Sequence, residues 1–200
     1  MSTTNGLKST EEHFDVLNED GSPKGFAKAR SLVHRDGDWH RSTHIWVFSN
    51  EGEVLVQLRA AGKDTFPGRW DVSAAGHISA GDNSLPSATR ELEEELGVKL
   101  EDSENLHLLT TVKASAVGST KKHGPYKDNE IQDIYVYKPK TTIPVDLMVL
   151  QSDEVDRVEY WPWQDYRERC MGDDQLLVPR SPMYKQIAFP LLDKVASGST

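Results

Sequence analysis

The chain is 200 residues long, with 23 Lys plus Arg against 32 Asp plus Glu, a net charge of −9 and a mean hydropathy of −0.60. That length suits one domain able to bury its own core. The negative balance argues against a phosphate-backbone nucleic-acid binder, and no apolar run approaches the roughly 20 residues that a membrane-spanning helix needs. One cysteine, Cys170, rules out an internal disulfide and fits a reducing compartment, so the expected location is cytoplasmic.

Residues 1–10 are rich in Ser and Thr, carry no signal-peptide pattern, and read as a disordered lead. Residues 196–200 read as a disordered tail, which leaves 11–195 as a single domain. Phe14-Asp15-Val16-Leu17 alternates apolar and polar before a dense turn cluster at 18–23, the pattern of an N-terminal hairpin. Residues 44–48 and 54–58 flank a turn containing Asn50 and Gly52, which predicts a second hairpin. Phe66-Pro67-Gly68 breaks the chain before Trp70-Asp71-Val72-Ser73. Residues 85–96 read as a helix stopped by Gly97. Residues 106–112 and 131–137 read as strands. A further helix is expected after Trp161-Pro162-Trp163, and a last one over 183–195, ended or kinked by Pro190. Strands interleaved with a few helices predict an α/β (α+β) domain, a mixed β-sheet sandwiched between helices.

The chemistry gathers on the helix over 85–96. Ala88, Leu92 and Leu96 recur at i, i+4 and i+8 as one apolar stripe, while Glu91, Glu94 and Glu95 share another face. Three carboxylates at i, i+3 and i+4 repel one another unless something neutralises them, and a hard divalent cation with oxygen ligands does so. Taken alone, such a face is more often plain solvated surface.

The wider spacing changes that balance. The segment runs Gly76-x5-Asp82-x7-Arg90-Glu91-Leu92-x-Glu94-Glu95-x-Gly97-Val98, which resembles the Nudix hydrolase signature at eight of nine fixed positions, with Asp82 where that family has Glu. The resemblance implies a Nudix fold and cleavage of a diphosphate linkage, with cations shielding the anion and preparing the water. It implies that Glu91, Glu94, Glu95 and the Gly76 carbonyl hold Mg²⁺ or Mn²⁺, and that Arg90 orients the carboxylates. Asp82 is one methylene shorter than Glu, which puts its orienting role in question.

A second resemblance spans residues 12–190, to the branch of this superfamily that contains isopentenyl-diphosphate isomerase. It rests on Glu12-His13-Phe14, His34, His40, Trp46, Pro67-Gly68-x-Trp70, Gly76-His77 and Asp128-Asn129-Glu130 in the same order. It implies a metal cluster of His34, His40, His77, Asp128 and Glu130, and diphosphate contacts from Arg59 and Lys63. Two departures set the expected reaction. Ala75 stands where the isomerases carry a Cys, and it cannot deliver a proton to carbon. All three box Glu residues are kept, whereas the isomerases lose most of them.

The expectation is therefore a metal-dependent hydrolase of a small organic diphosphate, prenyl or nucleoside, with water as nucleophile and Glu130 or Glu94 as general base. The alternatives are an isomerase, or a non-catalytic Nudix-fold ligand sensor. No nucleic-acid or membrane partner is expected, and the sequence sets no oligomeric state. Lys121-Lys122-His123-Gly124-Pro125 reads as a loop, either a mobile rim or plain surface. Trp161 and Trp163 are read as packing aromatics, with stacking on a base or flanking of a prenyl chain as the alternative.

Overall fold

A computed structural model describes residues 11–100, 105–120 and 124–198, so the expected lead at 1–10 and Lys121, Lys122 and His123 lie outside the described residues. In chain order the elements are β1 (His13–Leu17), β2 (Pro23–Ala29), α1 (Arg30–Asp36), β3 (Trp39–Val47), β4 (Glu53–Arg59), β5 (Trp70–Asp71), β6 (Ala74–His77), α2 (Ser84–Leu96), β7 (Leu106–Thr120), β8 (Gly124–Tyr137), β9 (Val155–Pro162), α3 (Trp163–Met171) and α4 (Pro182–Ser197).

Period-2 alternation sets the layers. On β3, Ile45 and Val47 join the apolar stripe of α2, made of Ala88, Leu92 and Leu96, whereas Trp46, and Phe48 just past the strand, join Trp163, Tyr166, Tyr184 and Phe189 of α3 and α4. Strand β8 repeats this, with Tyr135 and Tyr137 on the α2 side and Ile134 and Val136 on the other. The strands are thus apolar on both faces because helices cover both faces, the layering expected from sequence. The larger sheet runs β2-β1-β3-β8-β7 with β6 also on β3, and the smaller runs β5-β4-β9. The larger one is mixed, since β3 and β8 pair in parallel and the other pairs are antiparallel.

The β1–β2 hairpin forms as predicted. The expected hairpin over 44–58 does not. Only Phe48 and Val54 bridge, and the two strands then enter different sheets. Each is buried on both faces and needs a partner on each edge; β3 takes β8 and β6, while β4 takes β9 and β5. Ser73 ties the sheets at the point where they part, accepting from Val47 N at 2.8 Å and donating to Leu55 O at 2.6 Å.

Helix α2 starts at Ser84, which donates to buried Asp133 at 2.5 Å, and Thr111 donates to the same carboxylate at 2.8 Å. This fixes the helix end against β7 and β8. Gly97 closes it in the left-handed conformation, φ 67°, as its position in the sequence predicts. Helix α4 runs further than the sequence pattern marks. It runs through Pro190 without ending, because Ala188, Phe189 and Leu192 are fully buried and hold the register. It also takes in Ala196 and Ser197, which the sequence pattern places in the tail, and is closed by Gly198. Among the described residues, no helix is long and apolar enough to cross a membrane.

Candidate active site

Register decides which polar side chains meet. The parallel β3–β8 ladder sets His40 opposite Glu130, and the β3–β6 ladder sets Thr43 opposite Gly76 and Ser42 opposite His77. Alternation then puts His40, Ser42 and His44 on one face of β3, in line with Asp128 and Glu130 on β8 and with Ala75 and His77 on β6. The polar half of that face opens as a cavity of about 1180 Å³, lined on its other sides by Glu91, Glu94 and Glu95 of α2 and by Arg59 and Lys63. The site residues expected from the sequence lie on this cavity or directly behind it.

Gly76 shows why the helix comes so close. A Cβ built there would lie 2.2 Å from Glu91 Cδ, so only glycine lets that carboxylate rest on β6. We predict that Gly76→Ala keeps the fold, because the strand is short and the displaced group is a side chain. It should nevertheless lower turnover about 100-fold by moving Glu91 by an ångström or so. Circular dichroism and initial rates test this together.

Glu95 is buried, and its Oε2 accepts from Gln57 Nε2 at 3.1 Å and from Ala75 N at 3.2 Å. Burial, and then the charge of Glu91, push its carboxyl up to about 8. Burial also raises Glu91, against the opposing charge of Arg90. Asp82, short as it is, still reaches the arginine. Arg90 bonds it at 3.4 Å and Glu91 at 3.2 Å, with Glu94 3.9 Å away.

Across β6, the ligand atoms of His34, His40, His77 and Asp128 all lie within 4.8 Å of one another. His40 donates from Nδ1 to Asp38 O at 3.1 Å, which leaves the Nε2 lone pair facing inward. His40 Nε2 and Asp128 Oδ1 face each other at 3.4 Å, buried and with no hydrogen bond to another described residue. Burial lowers His40 and takes His77 down to about 4, so both imidazoles are neutral at pH 7. Burial, then the charge of Glu130, lifts Asp128 to about 8. Imidazole nitrogens and carboxyl oxygens that converge at 3.2–3.5 Å in a buried site fit a divalent cation. Glu130 sits at the edge of this set, with one oxygen 3.2 Å from His77 and the other taking a 2.6 Å bond from Gln132. Burial opposes its ionisation, but the hydrogen bond to His77 is the first of the effects that outweigh it, and the carboxyl is held well below the ordinary range.

The cationic wall is more committed than the sequence suggests. Arg59 donates to Asp71 Oδ2 at 3.1 Å and to Thr65 O at 3.0 Å and 3.2 Å, and Lys63 pairs with Glu154. Sequence reasoning missed Gln57, Asp71 and Arg180. Gln57 and Asp71 each sit on buried strands where a polar residue breaks an apolar run, which was the one available signal. Arg180 lies in irregular chain, where no periodicity marks it. Trp163 is fully buried and donates to Asp193 at 2.7 Å, and Trp161 packs on Trp70 at 4.9 Å, so packing is the use both serve.

His44 is wholly buried beside Tyr184, and burial, then the nearby Arg180 charge, takes it down to about 4 from 6.5. The unfolded chain therefore binds more protons between those values, and stability falls as pH drops from about 6.5 to 4. His44→Gln should flatten that slope, leaving the share due to His40 and His77, as read from urea midpoints across the interval.

Residues 38–180 match the NUDIX domain. The chain belongs to the Nudix family. Its relatives include Nudix hydrolase 3 of Arabidopsis thaliana, 44% identical over 170 residues, which cover 84% of this chain but 22% of that protein. An uncharacterized Nudix hydrolase of Clostridium acetobutylicum is 36% identical over 72% of this chain and 67% of its own length. An isopentenyl-diphosphate Delta-isomerase of Klebsiella pneumoniae is 28% identical over 72% of this chain and 76% of its own. Among solved structures, a Deinococcus radiodurans protein superposes with a TM-score of 0.60 at 16% identity, covering 89% of this chain and 98% of that one. The Nudix domain of Shewanella oneidensis NrtR, complexed with ADP ribose, superposes with a TM-score of 0.52 at 18% identity, over 78% and 86%. These two likenesses bear on the fold, which is the Nudix fold expected from the box.

Proposed function

We propose that this Nudix domain is a divalent-metal-dependent hydrolase that cleaves the diphosphate linkage of a small organic diphosphate. The observation that carries this reading is the meeting, on one cavity, of the Glu91-Glu94-Glu95 face with a cationic wall of Arg59 and Lys63. Mg²⁺ or Mn²⁺ held by Glu91, Glu94, Glu95 and the Gly76 carbonyl would supply charge neutralisation and a more acidic water. The same chemistry suits a cation on His34, His40, His77 and Asp128, with Glu130 beside it.

In the reaction, the water oxygen bonds to one phosphorus, the bridging P–O bond breaks, and the departing oxygen carries away a proton. Glu94 is the better-placed general base. It is mostly exposed and its nearest cation is Arg90 at 3.9 Å, whereas both oxygens of Glu130 are engaged by His77 and Gln132. Arg90, bonded to Asp82 and Glu91, keeps the carboxylates in place.

Ala75 lines the cavity where the isomerases place their Cys, so proton transfer at carbon lacks its acid there. Phe66, Tyr126 and Tyr184 on the wall offer surface against which the organic group can pack. Of the two substrate classes, the likeness to an isopentenyl-diphosphate Delta-isomerase favours a small or prenyl-type diphosphate over a nucleoside derivative. The test is phosphate release from prenyl diphosphates, nucleoside triphosphates, oxidised nucleotides and dinucleotide sugars, with Mg²⁺ and Mn²⁺. Release from a prenyl-type diphosphate with no allylic isomer formed is expected; isomer in good yield from isopentenyl diphosphate overturns the reading.

A further inference from the structure

We propose that Arg180 is a substrate-contacting residue whose guanidinium, held in place by Asp71, binds phosphoryl oxygens of the diphosphate. The side chain is only 6% exposed, yet it forms part of the cavity wall. One terminal nitrogen donates to Asp71 Oδ1, and Nε has no hydrogen-bond partner among the described residues. A buried donor left unpaired in this way is costly unless a ligand completes it.

The neighbours single out Arg180. Arg59 spends its Nε and Nη2 on Thr65 O and its Nη1 on Asp71 Oδ2, and Lys63 is spent on Glu154. Of these three cavity cations, Arg180 is the one with a buried nitrogen left without a partner among the described residues. Its Cζ also lies 5.5 Å from the centroid of the Tyr184 ring, whose hydroxyl accepts from Trp46 Nε1 at 2.9 Å. Burial works against the Asp71 charge, but the two guanidiniums outweigh it and hold its carboxyl near 2, so the group carries a net positive charge.

Position completes the case. Asp71 lies opposite Gln57 in the β4–β5 ladder, and Gln57 bonds Glu95. One residue, Gln57, thus links the guanidinium site to the box carboxylates on the same cavity. Asp71 acts as a positioning residue, with Arg59 tethering its second oxygen.

This inference rests on the diphosphate reading, and its rival is a purely structural buried ion pair. Inorganic pyrophosphate titrated calorimetrically into the Mg²⁺-loaded chain decides between them. Arg180→Lys keeps the charge but loses the fork; it should weaken pyrophosphate binding about tenfold, and Arg180→Met up to about 100-fold. With the best substrate, KM should rise in step while kcat changes little. Unchanged pyrophosphate affinity in Arg180→Lys overturns the proposal. Should the Arg180 variants fail to fold, Asp71→Asn serves. Loss of a negative charge alone would tighten pyrophosphate binding, whereas loss of the anchor weakens it and Asp71→Glu restores it. Tighter binding in Asp71→Asn overturns the proposal too. If the wild type cleaves no diphosphate yet binds pyrophosphate through Arg180, the hydrolase reading falls and this site stands. If it turns over a diphosphate with an affinity independent of Arg180, the hydrolase reading stands and this site falls.

Discussion

Glu95→Gln lowers phosphate release by about 10² to 10⁴ while leaving the metal-free protein no less stable than the wild type. The first half follows from losing a positioned charged ligand in a buried site. The second follows from the cost of keeping that carboxyl buried. Its pKa stands at about 8 in the folded protein against 4.5 unfolded, so the folded state binds more protons between those values and loses stability as pH rises through them. Glutamine removes that loss. Its amide oxygen can still accept from Gln57 Nε2 and Ala75 N, the two donors now 3.1 Å and 3.2 Å from Glu95 Oε2. Activity and stability should therefore move apart, most clearly at pH 8 to 9 in the presence of a chelator. Glu94→Gln is the companion variant. That side chain is mostly exposed, so its loss should lower release over the same range without moving the thermal midpoint. If both variants release phosphate at the wild-type rate with metal supplied, the carboxylate helix is not the catalytic one.

That prediction rests on the part of the protein that was most legible. A helix places i, i+3 and i+4 together whatever surrounds it, so Glu91, Glu94 and Glu95 could be set on one face from spacing alone. Strand alternation is equally local, and once β3, β6 and β8 are adjacent it puts His40, His77, Asp128 and Glu130 on one side. What spacing does not contain is the choice of neighbour. The turn at 49–53 is a sound hairpin signal, yet β3 and β4 part because each is buried on both faces and finds better partners more distant in sequence. The same limit hid Arg180. Its role depends on meeting Asp71, 109 residues earlier, and on a cavity that exists only after both sheets have closed. Pro190 shows local propensity losing to packing. A proline inside a helix costs about 3 kcal/mol, but the burial of Phe189 and Leu192 exceeds it, at roughly 1.5–3 kcal/mol for each large apolar side chain.

Chelation of divalent cations should abolish turnover and most affinity for the diphosphate together, and added Mg²⁺ or Mn²⁺ should restore both. Residues 76–98 carry Asp82, Glu91, Glu93, Glu94 and Glu95 against Arg90 alone, so a net −4 of the chain's −9 is concentrated beside the cavity. Without a cation, an incoming diphosphate meets that charge within a Debye length, about 8 Å at physiological ionic strength, and the surrounding low dielectric strengthens the repulsion. Arg180 offsets part of it from the other side but cannot neutralise the carboxylates that remain ionised. Cation binding should also release protons. Glu95 and Asp128 both titrate near 8, so at pH 7 each is largely protonated until a cation displaces the proton. Metal affinity should therefore rise with pH up to about 8 and level off above it. Calorimetric titration at pH 7 in two buffers of different ionisation heat measures the released protons directly, and the thermal midpoint should climb with metal concentration as binding to the folded state requires. Full-rate cleavage in the presence of a chelator would remove the cation from the mechanism, and cation binding with no proton release would place it on groups other than these buried carboxyls.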